Sequence, residues 1–325
     1  METRKPKIII ILGPTAVGKT NLALDLATDF GGEIISADSM QVYRHLDIGT
    51  SKPTREERAR VPHHLIDIVD PDEEFSAALF SRQAEGIIRD LQGRKTIFVA
   101  GGTGLYIRAL TGGIIEGPGP DEDRRKLYRE RLDGEDKVVL YARLKEMDPE
   151  AAGRIHPHDG VRIIRALEIA ELDGEPISEK QRRHGFRQVR YECLKVGLYR
   201  DREELYHRID SRAKQMVEAG LVRETEEILR LGYDDYIKPL QSLGYRYFIQ
   251  YIKGKMTLDE ALRSMQRDSR HYARRQMTWF RGEGDIEWFH PDEAGRIKVR
   301  IDRFLGSRQD GVQPGLGGDD SLKNP

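Results

Sequence analysis

The sequence predicts an α/β fold: a P-loop NTPase-like parallel sheet flanked by helices, with a helical insertion domain. Three observations carry this. The apolar run from Ile8 to Leu12 leads into "GPTAVGKT" and then "NLALDLATDF", a strand, a glycine loop and a helix. Short apolar runs recur with helix-like segments between them, the alternation of a doubly wound parallel sheet whose ligands sit at the carboxyl ends of its strands. From about Asp121 to Gly185 no strand-like run occurs, and the segments read as helices.

The first unit is the most informative. Gly13, Pro14, Thr15, Ala16, Val17, Gly18, Lys19 and Thr20 fit G-x-x-x-x-G-K-[ST]. Successive backbone N–H groups and the following helix N-terminus form an anion nest, Lys19 adds a point charge, and Thr20 is placed to hold a Mg²⁺ ion. Next, "EIISADSMQVY" predicts a strand ending in Asp38. That carboxylate then stands near the P-loop edge of the sheet, as a general base toward whatever the loop binds or, more plainly, as a helix cap or an outer ligand of the ion. "LIDIV" predicts a further strand, with His63 and His64 in the turn before it; neighbouring histidines rarely ligate one ion. "TIFVA" predicts the next strand and runs into "GGTGLY". Gly101, Gly102 and Gly104 let backbone approach a ligand closely, and Thr103 offers a hydroxyl; opposite a P-loop this turn suits the far side of a diphosphate. No acid follows "TIFVA" and no N-K-x-D element is found, which argues against a motor ATPase and a signalling GTPase.

After Gly113 the breaker-rich "EGPGPDEDRRK" opens the insertion, "YECLKVGLYR" returns a strand, and "IEWF" supplies a last one. The expected organisation is a core over 1–115 and 191–305, an insertion over 116–190, and a disordered tail over 306–325, rich in Gly, Asp and Ser. Net charge is −1, so no global field advertises a polyanionic partner and any nucleic-acid surface must come from local clustering. The single cysteine, Cys193, leaves no internal disulfide or Cys-based zinc cluster. No apolar run approaches a membrane span. A cytoplasmic location, without a membrane, is expected.

Local clustering is present in "RSMQRDSRHYARRQMTWFR". Arg263, Arg267, Arg270, Arg274 and Arg281 are spaced by 4, 3, 4 and 7 residues, which places them on one helical face. With Tyr272, Trp279 and Phe280 interleaved, the stripe reads as a surface that tracks a nucleic-acid backbone; Trp279 and Phe280 individually suit a core better. "QRRHGFRQVR" is a second basic segment.

These pieces resemble one family. "GPTAVGKTNLA", "ISADSMQVYRHLDIGTSKP", "HHLIDIVDP", "FVAGGTGLY", "RALEI", "QSLGYRY" and "RRQMTWFR" follow the order seen in bacterial tRNA dimethylallyltransferases, also called tRNA isopentenyltransferases, from about Lys7 to Phe289. The resemblance implies a P-loop that holds dimethylallyl diphosphate rather than ATP, and a product, N6-(dimethylallyl)adenosine, at tRNA position 37 beside the anticodon. Whether a nucleoside triphosphate also enters the loop stays open. The implied catalytic residues are Asp38, Thr103 and Lys19, with Mg²⁺ at Thr20 and an arginine on "LYHRIDSRAKQM", Arg208 or Arg212, at the diphosphate. The implied tRNA side comprises Asp38, Ser39, Met40 and Gln41; Val161, Arg162, Ile163, Ile164 and Arg165; Gln241, Ser242, Leu243, Gly244, Tyr245 and Arg246; and Arg274, Arg275, Gln276, Met277, Thr278, Trp279, Phe280 and Arg281. The insertion would hold the anticodon stem-loop. A monomer that needs no protein partner is expected. The rivals are a small-molecule P-loop kinase, which leaves the arginine stripe unexplained, and an RNA-binding switch, which leaves Asp38 and "GGTGLY" idle.

Overall fold

Six strands form one parallel sheet in the order β3-β2-β4-β1-β5-β6. The structure is a computed structural model that describes residues 5–115, 128, 137–185 and 189–306; the tail assigned to 306–325 lies beyond them except for Gly306, which ends a helix. The strands are β1 (Lys7–Leu12), β2 (Gly32–Ser36), β3 (His63–His64), β4 (Thr96–Gly101), β5 (Glu192–Leu198) and β6 (Ile286–Phe289). β1 is central and pairs with β4 and β5. Ile8, Ile10 and Leu12 enter one apolar layer, while Ile9 and Ile11 enter the other. All five are 0–1% exposed, so β1 is a continuous apolar run because both of its faces are covered. Each such side chain contributes roughly 1.5–3 kcal/mol by burial.

Thirteen helices are defined among the described residues. Those that position the site are α1 (Lys19–Asp29), α4 (Gly104–Gly112), α9 (Arg202–Glu218), α10 (Leu221–Arg230), α11 (Arg246–Ile252) and α12 (Leu258–Arg281). α12 has 24 residues, about 36 Å of helix. It begins in a capping box of Thr257 with Glu260, which satisfies two otherwise orphaned N–H groups. The insertion contributes four helices between Lys137 and His184. They close on a core of their own that includes Tyr128, Leu140, Leu144, Ile163 and Leu167, in accord with the absence of strand-like runs there.

Two local expectations are corrected. "LIDIV" is not a strand. β3 is His63–His64 itself, paired with Ile34 and Ile35, and beyond it only Val69 bridges, to Tyr43. Leu65 and Asp67 take positive φ, 62° and 57°, which breaks the extended run. β2 ends at Ser36, so Asp38 stands in the loop after it. The histidines hold structure: His64 Nε2 lies 2.7 Å from Glu33 Oε2 and His63 Nδ1 lies 2.8 Å from the Val61 carbonyl. No helix among the described residues is long and apolar enough to cross a membrane.

Candidate active site

The P-loop joins β1 to α1 at the carboxyl edge of the sheet. Gly18 caps α1 at φ 112° and Gly13 sits at φ 146°, values that a side chain resists. A Cβ at Gly13 would also lie 2.7 Å from the Leu198 carbonyl of the neighbouring strand. Lys19 folds back over this turn, its Nζ donating to the Gly13 and Pro14 carbonyls at 2.9 and 2.7 Å. Two arginines bond the loop from outside, and a third, Arg212, stands in the cleft beside it. Arg200 Nε donates to Val17 O at 3.0 Å and Arg208 Nε to Ala16 O at 2.9 Å. Arg212 Nε donates to Ser51 Oγ at 2.9 Å.

Lys19 is perturbed. Burial, and then repulsion from Arg212, bring its pKa from 10.5 down to about 7, against the attraction of Asp38. Burial likewise lowers Arg212, with Asp38 opposing and Arg208 reinforcing. Three cations gathered around one glycine loop, with one carboxylate near, make a site that favours a multiply charged anion.

A cleft of about 630 Å³ opens in front of the loop, lined by Thr15, Lys19, Thr20 and Arg212 on one side and by Asp38 to Gln41 on another. Its far wall comes from Gln241 to Gly244, Arg246 and the α12 residues Asp268, Ser269, Tyr272 and Arg275. A second cavity of about 530 Å³ shares Lys19, Thr20, Ser51 and Arg212 and adds Lys52, His207 and Arg208. Lys19 and Arg212 therefore form a partition with a cavity on each side. Of the two arginines left open by the sequence, Arg212 lines both cavities and Arg208 only the second.

Asp38 is oriented by its own loop: Oδ1 accepts the Met40 N–H at 2.9 Å and the Gln41 N–H at 3.4 Å. The loop is pinned to the glycine turn, where Thr103 Oγ1 accepts the Ser39 N–H at 3.0 Å and the Thr103 N–H reaches Ala37 O at 3.2 Å. Thr103 is not among the residues lining the cleft. Its contacts pin the Asp38 loop. The three glycines of that turn also serve packing. A Cβ at Gly101 would overlap the Ala37 carbonyl, one at Gly102 the Gln276 amide, and one at Gly104 the Trp279 indole.

Gln276 is the centre of this packing. Its Oε1 accepts the Thr15 N–H at 2.9 Å and its Nε2 donates to Gly102 O at 2.8 Å. One buried side chain of α12 thus ties the P-loop to the glycine turn. Several residues expected on a tRNA surface are also core: Ile163, Ile164, Tyr245, Gln276 and Phe280 are all below 9% exposed. Trp279 is partly buried, with the Arg108 guanidinium 4.2 Å over its ring. Val161, Arg162, Arg274, Arg275, Thr278 and Arg281 are exposed.

The arginine stripe shares one face of α12, and that face does not line the cleft. Tyr272, which lines the cleft, stands nine residues past Arg263, half a turn out of phase at about 100° per residue. None of Arg263, Arg267, Arg270, Arg274 or Arg281 lines the cleft. Arg270 pairs with Asp210 at 2.5 Å, Arg267 with Asp268 at 2.8 Å and Arg263 with Asp259 at 3.5 Å. The cleft face of α12 carries Asp268, Ser269, Tyr272 and Arg275 instead. Burial and the nearby Asp38 hold the Tyr272 hydroxyl up at about 12. The sequence reading gave no site role to Asp268, Thr50 or Ser51, although "DIGTSKP" lay inside a quoted motif. In the second basic segment, Arg182 and Arg183 pair with Glu150 and Glu175, acids that lie upstream of the segment itself.

No cluster of three or more His, Cys, Asp or Glu residues suited to a metal exists among the described residues. Thr20 and Asp38 line the cleft but are too few for an all-protein Mg²⁺ site. Such an ion fits here in its usual manner, held by one or two protein oxygens together with the ligand's phosphates and water.

The perturbed lysine gives a first expected result. A bound multiply charged anion favours the Lys19 ammonium, so its pKa rises on binding. The contribution of Lys19 to affinity is then level below pH 7 and falls, by up to about tenfold per pH unit, above it. Calorimetry at pH 8 in buffers of different ionisation heat will show proton uptake in the wild type, and less of it in Lys19→Ala.

Comparisons with known proteins agree with this geometry. The family model described as IPP transferase matches residues 41–283, and that for isopentenyl transferase matches residues 6–66. The chain is 50% identical over 302 residues to tRNA dimethylallyltransferase 2 of Syntrophus aciditrophicus, covering 93% of this chain and 97% of that protein. It is 51% identical over 303 residues to the protein of the same name from Geotalea uraniireducens, covering 93% and 98%. Among solved structures it resembles the full-length tRNA isopentenylpyrophosphate transferase of Bacillus halodurans, with a TM-score of 0.68 at 39% identity over 93% of this chain and 98% of that one. It also resembles a eukaryotic dimethylallyltransferase acting on tRNA, with a TM-score of 0.78 at 28% identity, covering 95% and 81%. With half of its residues shared over nearly the whole length of such relatives, and with their fold, the chain belongs to the tRNA dimethylallyltransferase family of prenyltransferases.

Proposed function

We propose that the protein transfers a dimethylallyl group from dimethylallyl diphosphate to N6 of adenosine 37, next to the anticodon of tRNA, and releases diphosphate. The observation that carries this reading is a single cleft lined by Lys19, Thr20 and Arg212 together with Asp38. A site that only hydrolysed a nucleotide has no use for a base facing a large open wall of α12. The base of a nucleotide has to leave its stack to reach this depth, and the cleft is roomy enough to receive it.

The exocyclic amine of adenine is a poor nucleophile because its lone pair is delocalised into the ring. As the C–N bond forms, the amine proton passes to Asp38, whose carboxylate is held in place by the Met40 and Gln41 amides. As the allylic C–O bond breaks, charge gathers on the leaving diphosphate. Lys19 and Arg212 line that region and, with the loop amides, stabilise the charge; Lys19 exchanges its bonds to the Gly13 and Pro14 carbonyls for the diphosphate. Mg²⁺ at Thr20 would add Lewis-acid stabilisation of the same oxygens. Arg208 and Arg212 both serve the diphosphate in this reading, Arg212 at the partition and Arg208 from the second cavity. Thr103 and Gln276 act through others, the first on the Asp38 loop and the second on the P-loop.

The tRNA side is the Gln241–Arg246 wall with the cleft face of α12, and the insertion holds the stem-loop from the exposed side of Val161 and Arg162. Arg275→Ala should lower the slope of log tRNA affinity against log salt by roughly 0.7–0.9, as expected for one lost phosphate contact. Arg263→Ala should leave the slope unchanged, since Arg263 lies on the opposite face and pairs with Asp259. Salt titrations of tRNA binding by the two variants test this. The function itself is tested by incubating the protein with dimethylallyl diphosphate, ATP, Mg²⁺ and unfractionated tRNA. Only the allyl diphosphate and tRNA should be consumed; ATP turnover driven by a small acceptor would favour a kinase.

A further inference from the structure

The segment Leu46 to Ser51 ("LDIGTS") lies between the two halves of the cleft. Thr50 and Ser51 line it, Ser51 Oγ accepts from Arg212 at 2.9 Å, and Gln41 Nε2 donates to the Thr50 and Ser51 carbonyls at 3.3 and 3.1 Å. The turn is tight: Ser51 has φ 52°, and its N–H reaches Ile48 O at 3.0 Å. Three successive N–H groups of this turn, those of Asp47, Ile48 and Gly49, converge on one carboxylate. Glu224 on α10 accepts them at 3.1, 2.8 and 3.0 Å, the first two on Oε2 and the third on Oε1. Oε1 also accepts the Tyr245 hydroxyl at 2.6 Å.

Tyr245 belongs to the opposite wall. It is fully buried and follows Gly244 in the segment Gln241–Arg246 that faces the cleft. The two segments are in backbone contact as well. A Cβ at Gly244 would overlap the Gly49 carbonyl, and one at Gly49 would overlap the Tyr245 ring. The carboxylate therefore fills an anion nest on one segment while taking a hydroxyl from the other, and nothing but glycine fits between them.

We infer that Glu224 is a positioning residue that joins the diphosphate side of the cleft to its tRNA side. This rests on the function proposed above, but its consequences are read in binding alone. Through the three amides it sets the turn that presents Ser51 to Arg212, and through Tyr245 it sets the Gln241–Arg246 wall. Replacing Glu224 by Gln keeps shape and removes this double role. The new amide must turn its NH₂ either toward the Gly49 N–H and the Tyr245 hydroxyl, or toward the Asp47 and Ile48 N–H groups. Donor then meets donor, and charge-assisted bonds are lost in either case.

Calorimetric titration of the full chain with inorganic diphosphate plus Mg²⁺, and separately with unfractionated tRNA, tests this. Glu224→Gln should weaken both by about tenfold, the scale of one lost charge-assisted bond. Tyr245→Phe cuts only the link to the tRNA wall and should weaken tRNA by a similar factor, leaving diphosphate affinity within about twofold. A merely structural role would lower the fraction of binding-competent protein, read as stoichiometry, and leave both affinities at the wild-type value. That outcome, or loss of one ligand alone in Glu224→Gln, or equal loss of both in Tyr245→Phe, overturns the inference. Because no turnover is measured, the inference can fail while prenyl transfer stands, and the transfer assay can fail while the two-sided loss of binding is seen.

Discussion

Asp38→Asn is expected to lose prenyl transfer by a factor of about 10²–10⁴ while still binding both substrates. Asparagine preserves the shape of the loop. Its Oδ1 can still accept the Met40 and Gln41 N–H groups, and Thr103 still pins Ser39. What disappears is the only carboxylate that, among the described residues, lines the cleft on the P-loop side, and with it the acceptor for the amine proton. The pattern to look for in steady-state kinetics is a fall in kcat with KM values close to wild type, the signature of an interaction made in the transition state. A variant that also lost tRNA binding would mean that the carboxylate holds the loop rather than the proton.

Lys19→Ala should act on the other half of the reaction and cost about 10²–10³ in rate, the effect of removing one preorganised charge from a developing anion. Here KM for the allyl diphosphate should rise together with the fall in kcat, because the ammonium meets the diphosphate in the ground state as well. Affinity for tRNA should be nearly unchanged. The Gly13 and Pro14 carbonyls that Lys19 now covers are left to water in the variant, and Arg212 remains in the cleft, so some diphosphate binding persists. Steady-state kinetics with each substrate varied, beside a thermal melt, separates this from simple unfolding.

Most of the sheet was legible in the sequence, because its physics is local. "KIIIIL", "TIFVA", "CLKVGLY" and "IEWF" are strands where their apolar runs stand, and the P-loop follows β1 as its spacing requires. "LIDIV" misled because apolarity alone does not make a strand. Leu65 and Asp67 take left-handed conformations, and the paired residues are the two histidines before them. The arginine stripe shows a different limit. Helical spacing says which residues share a face, but only tertiary packing says which face meets the site. Ala261, Met265, Ala273, Gln276 and Phe280 are the buried positions of α12, and they turn the stripe outward. Glu224 carried no signal of its own, and Gln276 was read from "RRQMTWFR" as a tRNA-side residue, not as a tie between two loops. Each is one polar residue on an amphipathic helix, and its role appears only once a distant backbone segment, 47–49 or Thr15, is brought to it. In "GGTGLY", Gly101 and Gly102 do line the cleft, but the close packing of the turn against Ala37, Ser39, Gln276 and Trp279 was not legible.

The most direct test of the account is the chemical identity and position of the product. Purified protein is incubated with dimethylallyl diphosphate, Mg²⁺ and tRNA from cells that lack this modification. The tRNA is then digested to nucleosides and to fragments, and each is weighed by mass spectrometry. The account predicts one new nucleoside, adenosine heavier by one dimethylallyl group on N6, confined to position 37, and absent when Asp38→Asn replaces the wild type. Unmodified tRNA with the allyl diphosphate left intact, or a prenyl group on a different base, would contradict it.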